Sequence, residues 1–244
     1  MIKKFLVLVF LVGLLAMLAG GVEAAFFNTD IVGQSAVTSF SAMLEALPSP
    51  AEVDEGNEVW ILTAPDGSAR FAWRRDAEDI HAHNASIHDP RICDTRAYDA
   101  YIWFDAKPFV DAGLDLSKLP EGLVSGDEIV LGRKLSLEPL VYEREVTPAA
   151  SFEQIVKLDR DSIGYHAALD HYGITFSEGT LFEWAKDVSK NDKDIVFVLN
   201  PDIFLEAGAD PSKVEGWTFA KVPVEDARGR KIEADKFLKP FNLK

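Results

Sequence analysis

Imidazole and thiolate are the side chains that zinc and copper prefer, and this sequence concentrates them. Three of its 5 histidines and its single cysteine, His81, His83, His88 and Cys93, fall in one stretch between positions 81 and 93. In an extended segment His81 and His83 would project to the same side, with His88 and Cys93 able to fold back towards them. Zinc or copper is therefore the cofactor this stretch would take. The spacing matches no paired Cys-x-x-Cys motif, and Asn84 with Asp89-Pro90 equally suits a plain surface loop.

The other two histidines lie in Ile163-Gly-Tyr-His166-Ala-Ala-Leu-Asp170-His171-Tyr172. On a helix, His166 and Asp170 would be neighbours one turn apart, and the carboxylate would orient the imidazole as in a general-base pair. A hydrolase is the activity that pair suggests. His171 would sit about 140° further round the helix, so the two histidines do not form a single-helix metal motif. A helix-end histidine before Gly173 is the plainer reading, and no residue is assigned as catalytic. The chain has no Gly-x-Ser-x-Gly elbow, no His-Glu-x-x-His, no phosphate-cradling loop and no dinucleotide fingerprint.

Trp73, Trp103 and Trp184 are the candidate ligand-binding residues, because a flat indole can stack on a sugar or another flat ligand. Trp73 and Trp184 also suit the core of a folded domain, where a large apolar ring contributes most.

These residues sit in a chain that repeats itself. Asp105-Ala-Lys-Pro-Phe-Val-Asp-Ala-Gly-Leu-Asp-Leu-Ser-Lys118 aligns without a gap on Asn200-Pro-Asp-Ile-Phe-Leu-Glu-Ala-Gly-Ala-Asp-Pro-Ser-Lys213. Phe71-Ala-Trp73 matches Phe182-Glu-Trp184, Ser39-Phe40 matches Ser151-Phe152, and Gly132-Arg-Lys matches Gly229-Arg-Lys, all in the same order. Residues shared by both copies belong to the frame, and residues found in only one are candidates for function.

The expected fold is α+β: two tandem homologous repeats, 36–145 and 146–244, packed about a pseudo-twofold axis. Each is read as a helix, a β-hairpin, a further strand, a short helix and a last strand. Phe40, Met43, Leu44 and Leu47 mark the helix stripe, and Asp66-Gly67 marks the hairpin turn. Tyr98–Phe104 and Asp194–Leu199 are the further strands. Asp105 and Asn200 are placed as helix N-caps with Pro201 as a first helical residue, and Gly113 and Gly208 as left-handed helix ends. Asp115-x-Ser117 and Asp210-x-Ser212 read as turns, and the last strands are placed near Glu128–Leu131 and Trp217–Val222.

Residues 1–24 read as a signal peptide: Lys3 and Lys4 precede an apolar run from Phe5 to Leu18, and Val22-Glu23-Ala24 offers small residues at the cleavage positions. The run is shorter than the roughly 20 residues a membrane span needs, so export to the periplasm or exterior is expected; a retained anchor is the alternative. Residues 25–35 form a linker. Without the leader's Lys3, Lys4 and Glu23, the 25 basic and 40 acidic residues become 23 and 39, a net charge of −16. Such a surface repels phosphate backbones and anionic lipids, so nucleic acid and membrane surfaces are disfavoured partners, while cations and basic partners are favoured. With one cysteine no internal disulfide forms, and stability rests on packed cores.

The function expected from these features is a non-catalytic ligand-binding or interaction module. Metal binding through His81, His83, His88 and Cys93 is the first alternative, and a hydrolase built around His166 and Asp170 is the second.

Overall fold

The computed structural model describes residues 33–54, 59–75, 100–133, 147–158, 163–167, 169–175, 181–190, 193–225 and 231–243. Residues 1–24, expected to be a signal peptide, and the metal candidates His81, His83, His88 and Cys93 lie outside the described residues.

The chain is α+β, with two six-stranded antiparallel sheets and few helices. A helix over 33–46 (α1) comes first; Phe40 and Met43 of the expected stripe are buried together with Ala36 and Val37, while Leu44 is half-buried and Leu47 lies just beyond the helix end. The first sheet follows: β1 (Glu52–Asp54), β2 (Val59–Thr63), β3 (Ala69–Arg74), β4 (Ala100–Asp105), β5 (Val124–Ser125) and β6 (Glu128–Arg133), in the order β1-β2-β3-β4-β6-β5. A short helix α2 (Lys107–Asp111) and a 3₁₀ turn over Leu116–Lys118 separate β4 from β5.

The second half begins with α3 (Pro148–Leu158), where the Thr147 hydroxyl accepts the Ala150 N–H at 3.3 Å. Its strands are β7 (Ile163–His166), β8 (His171–Thr175), β9 (Leu181–Ala185), β10 (Ile195–Leu199), β11 (Thr218–Glu225) and β12 (Lys231–Phe241), in the order β11-β12-β10-β9-β8-β7. Helix α4 (Asp202–Glu206) and a 3₁₀ turn over Pro211–Lys213 follow β10. Read from the opposite edge, this is the strand order of the first sheet.

Turn chemistry places the short elements where the sequence predicts them. Asp115 and Asp210 each accept the backbone N–H of the serine two residues on, at 3.1 Å in both cases. Gly113 and Gly208 adopt φ of 101° and 102°, backbone that residues with a Cβ rarely tolerate.

Four expectations need correction. Each sheet has six strands, because an edge strand precedes each hairpin and the last strand is a pair. The strand bonded to β10 is β12, with Leu199 opposite Phe237 as Phe104 is opposite Ile129. Trp217–Val222 therefore overlaps the outer strand β11, the counterpart of β5. The Gly132-Arg-Lys match to Gly229-Arg-Lys fails on register: Gly132 lies opposite Tyr101, and the residue in that place opposite Val196 is Pro240. Finally, the helix caps are Ala106 and Pro201, one residue later than expected, because both five-residue helices start directly off a strand end. The Asp105 carboxylate still accepts the Lys107 N–H at 2.8 Å.

One apolar core unites the two sheets and both long helices. Phe40 stacks on Phe152 with centroids 3.7 Å apart, and Phe71 stacks on Phe182 at 4.2 Å. Two sets of polar contacts between the halves come as exchanged pairs. The Trp73 indole N–H donates to Ser151 Oγ at 2.9 Å, and that of Trp184 donates to Ser39 Oγ at 2.8 Å. The Asp115 N–H donates to the Ala207 carbonyl at 3.0 Å, and the Asp210 N–H to that of Ala112 at 2.8 Å.

Both serines are buried, and each also donates to the carbonyl three residues earlier. Replacing Ser39 by alanine strands the enclosed Trp184 indole N–H and should cost about 1–3 kcal/mol, whereas Ser151→Ala leaves the Trp73 N–H bonded to the Pro148 carbonyl at 3.1 Å and should cost less. Urea unfolding will show it, and Trp184→Phe in the Ser39→Ala background should recover part of the loss.

Candidate functional site

The residues around His166 form a hairpin, which corrects the expected helix. Ile163-Gly-Tyr-His166 is β7 and His171-Tyr-Gly-Ile-Thr175 is β8, with Gly164 opposite Gly173, Tyr165 opposite Tyr172 and His166 opposite His171. Glycines and β-favouring Ile and Tyr alternate here, a pattern that suits paired strands better than a helix turn. The His166–Asp170 pairing required helical spacing and does not form. Asp170 adopts φ 55° in the turn, and its carboxylate accepts the Tyr165 hydroxyl at 2.5 Å.

The partner of His166 is Glu183, on β9. Glu183 pairs with Gly173, which pairs with Gly164, so its row across three strands carries no other side chain. A Cβ on Gly173 would stand 3.1 Å from Glu183 Cγ, and one on Gly164 would meet nothing within 4 Å. The two glycines leave a trough along which Glu183 reaches back. Its Oε1 lies 3.4 Å from His166 Nδ1 and its Oε2 lies 3.4 Å from His171 Nδ1. Both distances are long for an aligned hydrogen bond, so the contact is one of charge.

His171 is fully enclosed and Glu183 is 5% exposed. Burial pushes the Glu183 carboxyl up, but the two imidazoles outweigh it and hold the group below its ordinary 4.5. Interaction with Glu183 raises His166 above its ordinary 6.5 against a smaller opposing effect of burial. The stability that His166 contributes is therefore full below pH 6.5 and lost as pH rises through its raised value. That of Glu183 is full above pH 4.5 and lost as pH falls through its lowered value. The ion pair is at full strength between those limits.

The ring nitrogen Nε2 of both histidines is occluded and has no hydrogen-bond partner among the described residues. A base whose free nitrogen is shut from solvent cannot take a proton from a bound substrate, so the cluster stores a proton better than it delivers one. Among the described residues, no group of three or more His, Cys, Asp or Glu is arranged to hold a metal ion.

The tryptophans lie elsewhere. Trp73 and Trp184 are fully enclosed in the core, where their rings offer no face to a ligand, so they leave the list of candidate ligand-binding residues as a correction. Trp103 lies on the other face of the first sheet, 6% exposed, with the Arg70 guanidinium 4.0 Å from its ring centroid and Tyr101 at 5.1 Å.

Glu183 was the residue the sequence left unmarked. Its signal was present: Phe71-Ala-Trp73 against Phe182-Glu-Trp184 puts a carboxylate where the other half has alanine, between two core aromatics. The sheet registers extend the contrast. Where the second half has His166, His171 and Glu183, the first has Asp54, Val59 and Ala72.

The fold defines a class, an α+β chain of two antiparallel sheets with the same strand order, and the site is a carboxylate clasped by two imidazoles. The chain matches no protein-family model, no curated protein and no solved structure. Among the described residues no helix is long and apolar enough to cross a membrane.

Proposed function

We propose that this is an exported, acidic protein made of two homologous α+β repeats, 36–145 and 146–244, packed about a pseudo-twofold axis, and that it works as a non-catalytic ligand-binding or interaction module. The exchanged contacts of Trp73 with Ser151 and Trp184 with Ser39 support the duplication, since a twofold contact repeats with its partners swapped. The occluded Nε2 atoms are the observation that carries the non-catalytic role: in both histidines that contact Glu183, the nitrogen turned away from the carboxylate is shut from a substrate. The acidic balance of 40 carboxylates against 25 basic side chains favours cationic or basic partners.

Thermal unfolding of the purified protein with oligosaccharides, cationic peptides, zinc and copper tests this. A cognate class at a hundredfold its Kd adds about 2.7 kcal/mol, a rise of about 5–11 °C in Tm for a chain of this size. A rise with zinc or copper that disappears in the His81→Ala/His83→Ala double variant would move the conclusion to metal binding. If no class raises Tm and the protein hydrolyses esters in a His166-dependent way, the non-catalytic role is wrong.

A further inference from the structure

The β7–β8 hairpin is the edge of its sheet and is tied to β9 by an unusual device. His166 and His171 face each other at the closing pair of the hairpin, and Glu183 reaches both from the next strand through the gap left by Gly164 and Gly173. The equivalent edge of the first sheet has no such group, since Val59 and Ala72 hold two of the three places and are packed in an apolar cluster.

The charges that face Glu183 can be named strand by strand. From β7 comes His166, while Tyr165 lies on the opposite face with Tyr172, and Lys186 sits over the Tyr165 ring. In the turn, Asp170 is engaged by the Tyr165 hydroxyl. From β8 comes His171, and β10 places the apolar Val196 opposite Glu183. Among the described residues, only a protonated imidazole can balance the Glu183 carboxylate.

We propose that His166, Glu183 and His171 form a proton-operated clasp: one proton held on an imidazole beside the carboxylate keeps edge strand β7 closed on its sheet, and loss of that proton releases the strand. Without it a nearly buried carboxylate stands between two neutral rings, an arrangement that costs far more than the intact pair. The cheapest relief is to admit water. β7 is four residues long, has one neighbour and contains Gly164, so lifting it breaks fewer contacts than any rearrangement of β9 or β10. The proton is gained and lost without any other reactant, and the clasp does not depend on the binding role proposed above.

Amide hydrogen exchange on the intact protein from pH 6 to pH 9, corrected for intrinsic exchange rates, tests the clasp. Protection of the Ile163–His166 and His171–Thr175 amides should fall about tenfold or more relative to Ala69–Arg74 as pH rises, one decade per pKa unit of linked stabilisation. Glu183→Gln should make that ratio independent of pH. His166→Asn, at the less buried end, should do the same if Glu183→Gln does not fold. A wild-type ratio constant over this range, or a fall that persists undiminished in either variant, overturns the proposal.

Discussion

Phe40→Ala should lower the stability of this protein by about 3–5 kcal/mol, the usual cost of emptying a phenylalanine site in a packed core. Phe40 is fully enclosed and meets aromatic rings from both halves: Phe152 stacked at 3.7 Å, and Trp184, Trp73 and Phe71 edge-on at 5.3, 5.4 and 6.2 Å. Neighbours that are themselves large rings, two of them pinned by indole hydrogen bonds to serine, cannot collapse into the space. Domains are stable by only about 5–15 kcal/mol, so the loss is a large share of the total. At about 2–4 °C per kcal/mol, Tm should drop by about 6–20 °C. Val110→Ala, at a position 41% exposed on α2, is the control and should stay within about 0.5 kcal/mol of wild type. A drop for Phe40→Ala no larger than that of the control would show that the two halves do not share a core at this point.

How far the chain could be read in advance depended on how local the cause of each feature was. The left-handed Gly113 and Gly208, the Asp-x-Ser turns and the apolar stripe of α1 are each determined within a few residues, and each formed where its pattern places it. β12 escaped because its signal is poor: it carries five charged residues and Pro240 in Lys231–Phe241, and it is held by pairing with β10 and β11 rather than by its own propensity. Pro240 is tolerated because β11 pairs with β12 only as far as Leu238, so beyond that point one side of the strand needs no N–H donor.

The β7–β8 hairpin was misread for a different reason. His166 and Asp170 are four apart, which is both a helix turn and the span of a hairpin loop; the alternation of glycine with Ile and Tyr leans to the hairpin, and the pairing of the two strands fixes it. The site itself crosses three strands, and the alliance of Glu183 with two histidines follows only from register. What the sequence did hold was the asymmetry of Ala72 against Glu183, visible once the halves are laid side by side.

The second large effect concerns a place where the halves meet backbone to backbone. A Cβ on Gly113 would lie 3.1 Å from the Gly208 carbonyl oxygen, and a Cβ on Gly208 would lie 3.2 Å from that of Gly113. Both glycines also have positive φ, so alanine at either position meets backbone strain and a backbone clash together. The obstacle is a carbonyl rather than a flexible side chain tip, and the carbonyls beside it, those of Ala112 and Ala207, are tied across the halves by the Asp210 and Asp115 N–H groups. Gly208→Ala and Gly113→Ala should each cost about 2–6 kcal/mol, from strain of about 1–3 kcal/mol and a comparable overpacking cost. Because either substitution forces the same two segments apart, the double variant should cost clearly less than the two single changes combined, which a double-mutant cycle in urea measures directly. Additive losses would mean that the two glycines are strained independently, and that their mutual approach contributes nothing to the joint between the halves.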